Sequence, residues 1–433
     1  MRILHTSDWH IGRSLYGKRR YAEMESFLAW LEKTIADRRV DTLLIAGDIF
    51  DTTTPSNQAQ ELYYRFLQRL AGASGDSLPL CRHVVIIAGN HDSPTFLDAP
   101  KELLALLNIH VRGRASALAA DEVLLLRSAD SHPELIVCAV PYLHDRDVRV
   151  VEAGEDMRDR QRALIQGISR HYADVLARAC ELQSSTGVPI VLMGHVFVTG
   201  GTVAAMGDGV RELYVGAQVQ LGFDELLPPE LSTHVSYTAL GHLHIPQRVG
   251  GECARYSGSP IPMGFGEAGQ QKSVCLVDVG EGKEPSVELL PIPLFQRLER
   301  VNGNWETIER HLTELRLSGT EAWLEVTYEG EGPQMGIPDL QDRLNRCLED
   351  CSGLELLCTR DEARIRRTLE GQGNGGLPGG ASLEDLSPLD VFERRLEAVP
   401  EEQREALRRT YREVLARMEE EGGTVRENFR DTP

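Results

Sequence analysis

The run Leu43-Leu44-Ile45-Ala46-Gly47-Asp48-Ile49-Phe50-Asp51 constrains this chain more than any other stretch. An apolar segment stops at a glycine and then presents a carboxylate, as a strand buried on both faces does at its carboxyl end. Open α/β sheets bind their ligands at that edge, so Asp48 stands where a functional residue belongs. A single Asp there is ordinarily turn or helix-cap chemistry. In this chain the pattern recurs. Arg2 to His5 leads into Thr6-Ser7-Asp8-Trp9-His10, and Val84 to Ala88 into Gly89-Asn90-His91-Asp92. Ile190 to Met193 leads into Gly194-His195, and Val235 to Leu240 into Gly241-His242-Leu243-His244.

Helical patterns separate the early strands. Met24, Phe27, Leu28, Leu31 and Ile35 share one face of a helix over 21–38, and Thr54-Pro55 opens a second with Leu62, Phe66, Leu67 and Leu70 inward. Further helices are expected over about 96–107 and 157–183, with a strand at Leu135 to Val140 between them. This alternation predicts an α/β class. The later strand-like runs, near 255–257 and 274–279, lack intervening helices, so a mixed sheet or two packed sheets is expected. The first domain is read as 1–296, a two-sheet sandwich flanked by helices. A small α+β unit follows over 297–365, with strand 322–328, helix 337–349 and strand 354–359. Residues 366–382 read as a flexible Gly-rich linker. Helices over 383–433, with Leu407, Tyr411, Val414, Leu415 and Met418 in a stripe, have too little core of their own and are expected to dock on this protein or a partner. An acidic, solvated helix is the plainer alternative.

The 433 residues are 41% hydrophobic, enough for two or three domains, and no window is long and apolar enough for a membrane span. The chain opens directly on strand-like residues, so a cytoplasmic protein with no membrane association is expected. Eight cysteines show no C-x-x-C spacing, and neither a disulfide framework nor a zinc knuckle is indicated. A formal charge of -20 argues against a simple nucleic-acid binder. Bound divalent ions would reverse that argument locally.

Collected together, the strand ends supply Asp8, His10, Asp48, Asn90, His91, His195, His242 and His244. Carboxylate, amide and imidazole donors suit Mn, Fe, Zn or Mg rather than soft thiolate chemistry. A shared carboxylate, for which Asp48 is the candidate, can hold two ions roughly 3.5–4 Å apart. Each signal is weak alone: Asp8-x-His10 can be a turn, and an isolated His195 is more often a core histidine. His242-x-His244 is better, because alternate residues of an extended segment share a side. The conjunction at one sheet edge carries the argument.

In order, Asp-x-His, Gly-Asp-x-x-Asp, Gly-Asn-His-Asp, Gly-His and Gly-His-x-His resemble the calcineurin-like metallophosphoesterase superfamily. Within it, His5 to His10, Ala46 to Asp51, Ala239 to His244 and Ser257-Gly258-Ser259-Pro260-Ile261-Pro262 are similar to the nuclease subunits of bacterial complexes with an SMC-like ATPase. The resemblance implies one metal on Asp8, His10, Asp48 and His244, and another on Asp48, Asn90, His195 and His242. It implies that His91 acts on the scissile phosphate, with Asp51 as the acidic partner orienting it; a helix cap is the plainer role for Asp51. It further implies two divalent ions, manganese first among them, and a DNA exonuclease and endonuclease acting in repair, recombination and replication. The implied partners are DNA, the ATPase bound through the C-terminal helices, and a second copy of the chain within a heterotetramer. Tyr16, Lys18, Arg19 and Arg20 are candidate DNA contacts, though a solvated charge run reads equally well, and the Gly-rich loop 199–209 is a candidate wall of the site. The competing readings are a dimetal phosphoesterase for small phosphoesters or phosphoproteins, and a non-catalytic scaffold of the ATPase complex.

Overall fold

The computed structural model describes residues 1–72, 78–149, 157–198, 220–330, 337–349, 351 and 353–361. Among these, two six-stranded mixed sheets pack face to face. In the first, the strands Arg2–Thr6, Thr42–Ala46, His83–Ile87 and Ile109–Arg112 run parallel in that order, and Ser273–Gly280 and Lys283–Pro291 continue antiparallel beyond Arg2–Thr6. In the second, Pro133–Ala139, Ile190–His195, Val235–Gly241 and Gly251–Tyr256 are parallel, with Val123–Arg127 and Gln247–Val249 antiparallel at the two edges.

Alternation along the strands explains the layering. Leu44, Ala46, Val85 and Ile87 point into the seam between the sheets, where they meet Val137, Ala139, Val191, Met193 and Ala239. Their neighbours Leu43, Ile45, Val84 and Ile86 face outward onto the helices Tyr21–Arg38 and Asn57–Leu70. Across the seam, Ile136, Cys138, Ile190, Leu192 and Leu240 face the helix Met157–Thr186. Each central strand is thus apolar on both sides, which accounts for the continuous apolar runs in the sequence. The fold is an α/β two-sheet sandwich flanked by helices.

Several elements differ from the sequence expectation. The second helix starts at Asn57, not at Thr54-Pro55, because the Ser56 side chain accepts the Ala59 N–H at 3.2 Å and caps it. The helix expected over 96–107 is two short ones, Pro94–Asp98 and Lys101–Ala105, since Pro100 has no N–H to continue the ladder. Strands Ile109–Arg112, Val123–Arg127 and Lys283–Pro291 have no counterpart in that expectation. The last is largely exposed, carries Pro285 and lies at a sheet edge, where strand signals are weakest.

Beyond Pro291, a three-stranded sheet of Leu298–Gly303, Ala322–Tyr328 and Leu354–Asp361 packs helices Trp305–Leu317 and Ile337–Leu348 around Val301, Ile308, Leu312, Leu324, Val326 and Leu344. The strand Leu298–Gly303 and helix Trp305–Leu317 are additions to the expected unit. Leu298 joins Leu15 and Phe265 in a small shared cluster. Beside it Glu325, fully buried, meets Arg300 at 2.6 Å, Arg360 at 2.9 Å and the Tyr16 hydroxyl at 3.4 Å. The expected linker 366–382 and helices 383–433 lie outside the described residues, as does the loop 199–209.

Removing the Glu325 carboxylate would leave two guanidinium groups uncompensated in a half-buried setting. Glu325→Ala is expected to lower unfolding stability by about 3 kcal/mol, measured by chemical denaturation.

Candidate metal centre

The carboxyl ends of both sheets meet at one point, and backbone contacts hold them there. The Asp8 and His10 N–H groups donate to the Gly47 and Asp48 carbonyls, each at 3.0 Å, zipping together the loops that follow the first two strands. Asp8, His10, Asp48 and His242 have φ of 53°, 47°, 51° and 102°, a left-handed region that costs a non-glycine residue about 1–3 kcal/mol. Carboxylate acceptors fix these turns: Asp8 Oδ1 takes the His242 N–H at 2.8 Å, and Asp48 Oδ1 takes the His91 N–H at 2.9 Å. Asp92, to which no motif assigns a role, accepts the N–H groups of Ile49, Phe50 and Gly89 at 3.1, 3.0 and 2.8 Å and so braces the turn that presents Asp48. Glycines permit the approach. A Cβ on Gly241 would overlap the Ala46 carbonyl, and one on Gly89 would overlap Asp48.

Two donor clusters result. Ligand atoms of Asp8, His10 and His244 lie within 4.8 Å of one another, as do those of Asp48, His195 and His242. Asn90 joins the second group, its Oδ1 3.1 Å from His195 Nε2 and 3.0 Å from His242 Nδ1. Asp48 stands between the groups, with Oδ2 3.3 Å from His195 Nε2 and 3.6 Å from His10 Nε2. His10 Nε2 and His244 Nε2 are 3.2 Å apart.

The chemistry of these donors fits divalent ions. His195 Nδ1–H donates to the Ala46 carbonyl at 2.8 Å, which directs the Nε2 lone pair at Asp48 Oδ2 and Asn90 Oδ1. Three acceptors turned on one point need a cation between them, either a second ring proton or a metal. The protonation directions agree. Burial would raise the Asp48 carboxyl, but His195, His91 and His10 hold it well below the usual carboxylate range. Burial would lower His195, yet Asp48 raises it to about 9. Burial and then His195 depress His242 to about 3, keeping it a neutral imidazole with an available lone pair.

Around the clusters lie His91 and its neighbours. His91 Nδ1 meets the main-chain carbonyl of Asp51 at 3.2 Å, so this contact to Asp51 differs from the carboxylate–imidazole pairing expected from the motif. The Asp51 carboxylate accepts from Arg13 at 3.0 Å and lies 3.4 Å from His10 Nδ1. The His91 ring sits edge-on to His10, with centroids 5.0 Å apart. Behind the first cluster, Ser7 bonds to Asp8 and to Ser257, the latter at 2.8 Å, and a buried Glu267–Lys272 pair backs His244. Arg13, Glu267 and Lys272 belong to no strand-end motif, so the sequence pattern carries no signal for them.

Two members of the basic run near the N-terminus, Lys18 and Arg20, are engaged in internal pairs. Arg20 is 3% exposed, paired with Glu23 at 2.6 Å and bonded to the Pro262 carbonyl. Burial removes it from any nucleic-acid surface, a correction to its candidate role. Tyr16 accepts from Arg360 at 2.9 Å and Lys18 pairs with Glu355, so both reach toward the three-stranded sheet. Arg19 is exposed.

Residues 1–246 match the calcineurin-like phosphoesterase family, and residues 294–399 match the type 5 capsule protein repressor C-terminal domain. The chain is 35% identical over 420 residues to the SbcD component of the nuclease SbcCD of Escherichia coli K12, covering 96% of this chain and 98% of that one. The chain belongs to the SbcD family of calcineurin-like phosphoesterases. The SbcD of Rhodobacter capsulatus is 34% identical over 68% of this chain and 70% of its own, and that of Bacillus subtilis 34% over 66% and 68%. Chains of this family bind divalent metal, and the two donor clusters are the candidate sites for it among the described residues.

Because Gly241 carries its chain against the Ala46 carbonyl, Gly241→Ala is expected to force the two sheet ends apart. Stability should fall by about 3 kcal/mol in thermal or chemical denaturation, with loss of metal binding.

Proposed function

We propose that this chain is the nuclease component of an SbcCD-type complex, hydrolysing DNA phosphodiesters as an exonuclease on duplex ends and an endonuclease on single strands and hairpins. The observation that carries the reading is the pair of donor clusters sharing one point with His91 in an SbcD-family chain. Asp8, His10, Asp48 and His244 would hold one ion, and Asp48, Asn90, His195 and His242 the other. Manganese is the proposed metal. When bound, two such ions would supply an activated water and offset the negative charge on the phosphoryl oxygens in the transition state.

The protein's own residues supply the remainder. The backbone network around Asp48 and Asp92 sets the donors in place before substrate arrives, so reorganisation at the moment of reaction is small. The Asp51 carbonyl holds His91 Nδ1–H and thereby turns the opposite ring nitrogen toward the substrate position. With a second proton, that nitrogen donates to the scissile phosphate or to its leaving oxygen. Arg13 anchors the Asp51 carboxylate and keeps the turn rigid.

The proposed partners are DNA, the SMC-like ATPase SbcC, bound through residues 383–433, and a second copy of the chain. Leu103 and Leu106, 66% and 81% exposed beside half-exposed Leu107, offer an apolar face that a second copy would cover. Among the described residues no helix is long and apolar enough to cross a membrane. Work on DNA implies the cytoplasm, at the nucleoid, in repair, recombination and replication.

Manganese-dependent cleavage of a DNA hairpin, with and without the ATPase, tests the activity. His91→Ala should bind two ions by calorimetry and cut at least about 100-fold more slowly. Hydrolysis of a small phosphodiester with DNA left intact would instead favour a general phosphoesterase, the reading to which the net charge of -20 lends weight. For the assembly, Leu103→Glu with Leu106→Glu is expected to yield monomers in analytical ultracentrifugation where the unaltered chain yields dimers.

A further inference from the structure

Glu267 and Lys272 stand behind His244 without belonging to either donor cluster. Glu267 ends the short turn Phe265–Glu267, and Lys272 precedes the strand Ser273–Gly280; they are 1% and 3% exposed. Lys272 Nζ donates to Glu267 Oε2 at 2.5 Å, to Ser259 Oγ at 3.1 Å and to the His244 carbonyl at 3.0 Å. Glu267 Oε2 also accepts the Met263 N–H at 2.9 Å. One carboxylate oxygen therefore does all the anchoring. The other, Oε1, is buried without a hydrogen bond of standard geometry and lies 3.4 Å from His244 Nδ1.

A buried ion pair is an expensive way to hold a loop, since well-packed neutral side chains of similar volume serve as well or better. Lys272 is already satisfied by Oε2, so the ion pair alone does not require Oε1 to face an imidazole nitrogen. On the far side of the ring, Nε2 is 3.2 Å from His10 Nε2, inside the first donor cluster. A ligating histidine whose second nitrogen meets a carboxylate has its tautomer and orientation set, and its donor nitrogen is made more basic.

We propose that Glu267 is a positioning residue of the metal centre: its Oε1 receives the Nδ1–H of His244 and presents Nε2 to the ion held with Asp8 and His10, while Lys272 fixes the carboxylate. This rests on the reading of Asp8, His10 and His244 as a metal site. The second cluster is backed differently, because His195 Nδ1–H meets the neutral Ala46 carbonyl. The two ions therefore differ in their dependence on Glu267.

Calorimetric titration of the full chain with Mn2+ tests this. The unaltered protein should bind two ions, and Glu267→Gln should weaken one of them about 10- to 100-fold while leaving the other within about twofold. The double variant Glu267→Gln with Lys272→Met removes the buried charge entirely and keeps the test available if the single variant does not fold. Equal weakening of both ions, or no change, would overturn the proposal and leave Glu267 a structural residue. Nitrogen-15 spectra of histidine-labelled unaltered protein with metal give an independent check: a proton on His244 Nδ1 supports the proposal, and one on Nε2 overturns it. Failure of the unaltered chain to bind two ions would sink the underlying metal-site reading, a result distinct from any change confined to the variants.

Discussion

The contact on which the centre depends is the one His195 makes across the seam of the sandwich. Its Nδ1–H donates to the Ala46 carbonyl at the end of the opposing sheet, at 2.8 Å. That bond joins the carboxyl edges of the two sheets, fixes the tautomer of His195, and sets its other nitrogen against Asp48. It requires close backbone approach, and Gly47 and Gly241 provide it by having no Cβ to collide with His195 or Ala46. The rest of the site hangs on this junction: the first sheet brings Asp8, His10, Asp48 and Asn90, and the second brings His195, His242 and His244.

Holding so many donors together has a local cost that the surrounding network offsets. Four site residues adopt positive φ, and the N–H groups their turns expose are taken up by Asp8, Asp48 and Asp92. Burial and the neighbouring Asp48 charge push the Asp92 carboxyl up to about 6, against the lowering effect of the three N–H groups it accepts. Charge also resolves the tension between an acidic chain and a nucleic-acid substrate. The overall balance is -20, but the clustered imidazoles with two divalent ions would make the substrate's point of attack locally positive. The buried Glu325, with Arg300, Arg360 and Tyr16 around it, ties the turn carrying Tyr16 to the three-stranded sheet, and Lys18 and Arg20, which read as part of a DNA-facing basic run, are spent on pairs inside the protein.

Much of this is legible in the order of residues. The strand–glycine–ligand pattern points to the layers, the edge and the donor types, because a buried strand must be apolar and only its end is free to carry polar chemistry. Edge strands such as Lys283–Pro291 escape that pattern, since one-sided exposure dilutes the apolar signal. The contact of His91 Nδ1 with the Asp51 main-chain carbonyl is not legible in the motif, because it depends on the turn after Phe50. Arg20 reads as a surface charge because sequence shows its neighbours and not the Glu23 carboxylate and Pro262 carbonyl that enclose it.

What the sequence by itself determined was the inventory: which side chains can bind metal, that each follows a buried strand, and that the strands alternate with helices. Those properties are local, set by hydrophobic period and turn chemistry. What only the tertiary structure decided was convergence. That Asp8 and His242, 234 positions apart, share a hydrogen bond, and that Glu267 faces His244, follow from the packing of two sheets and the register between their strands. Those are long-range relations, and no window of sequence carries them.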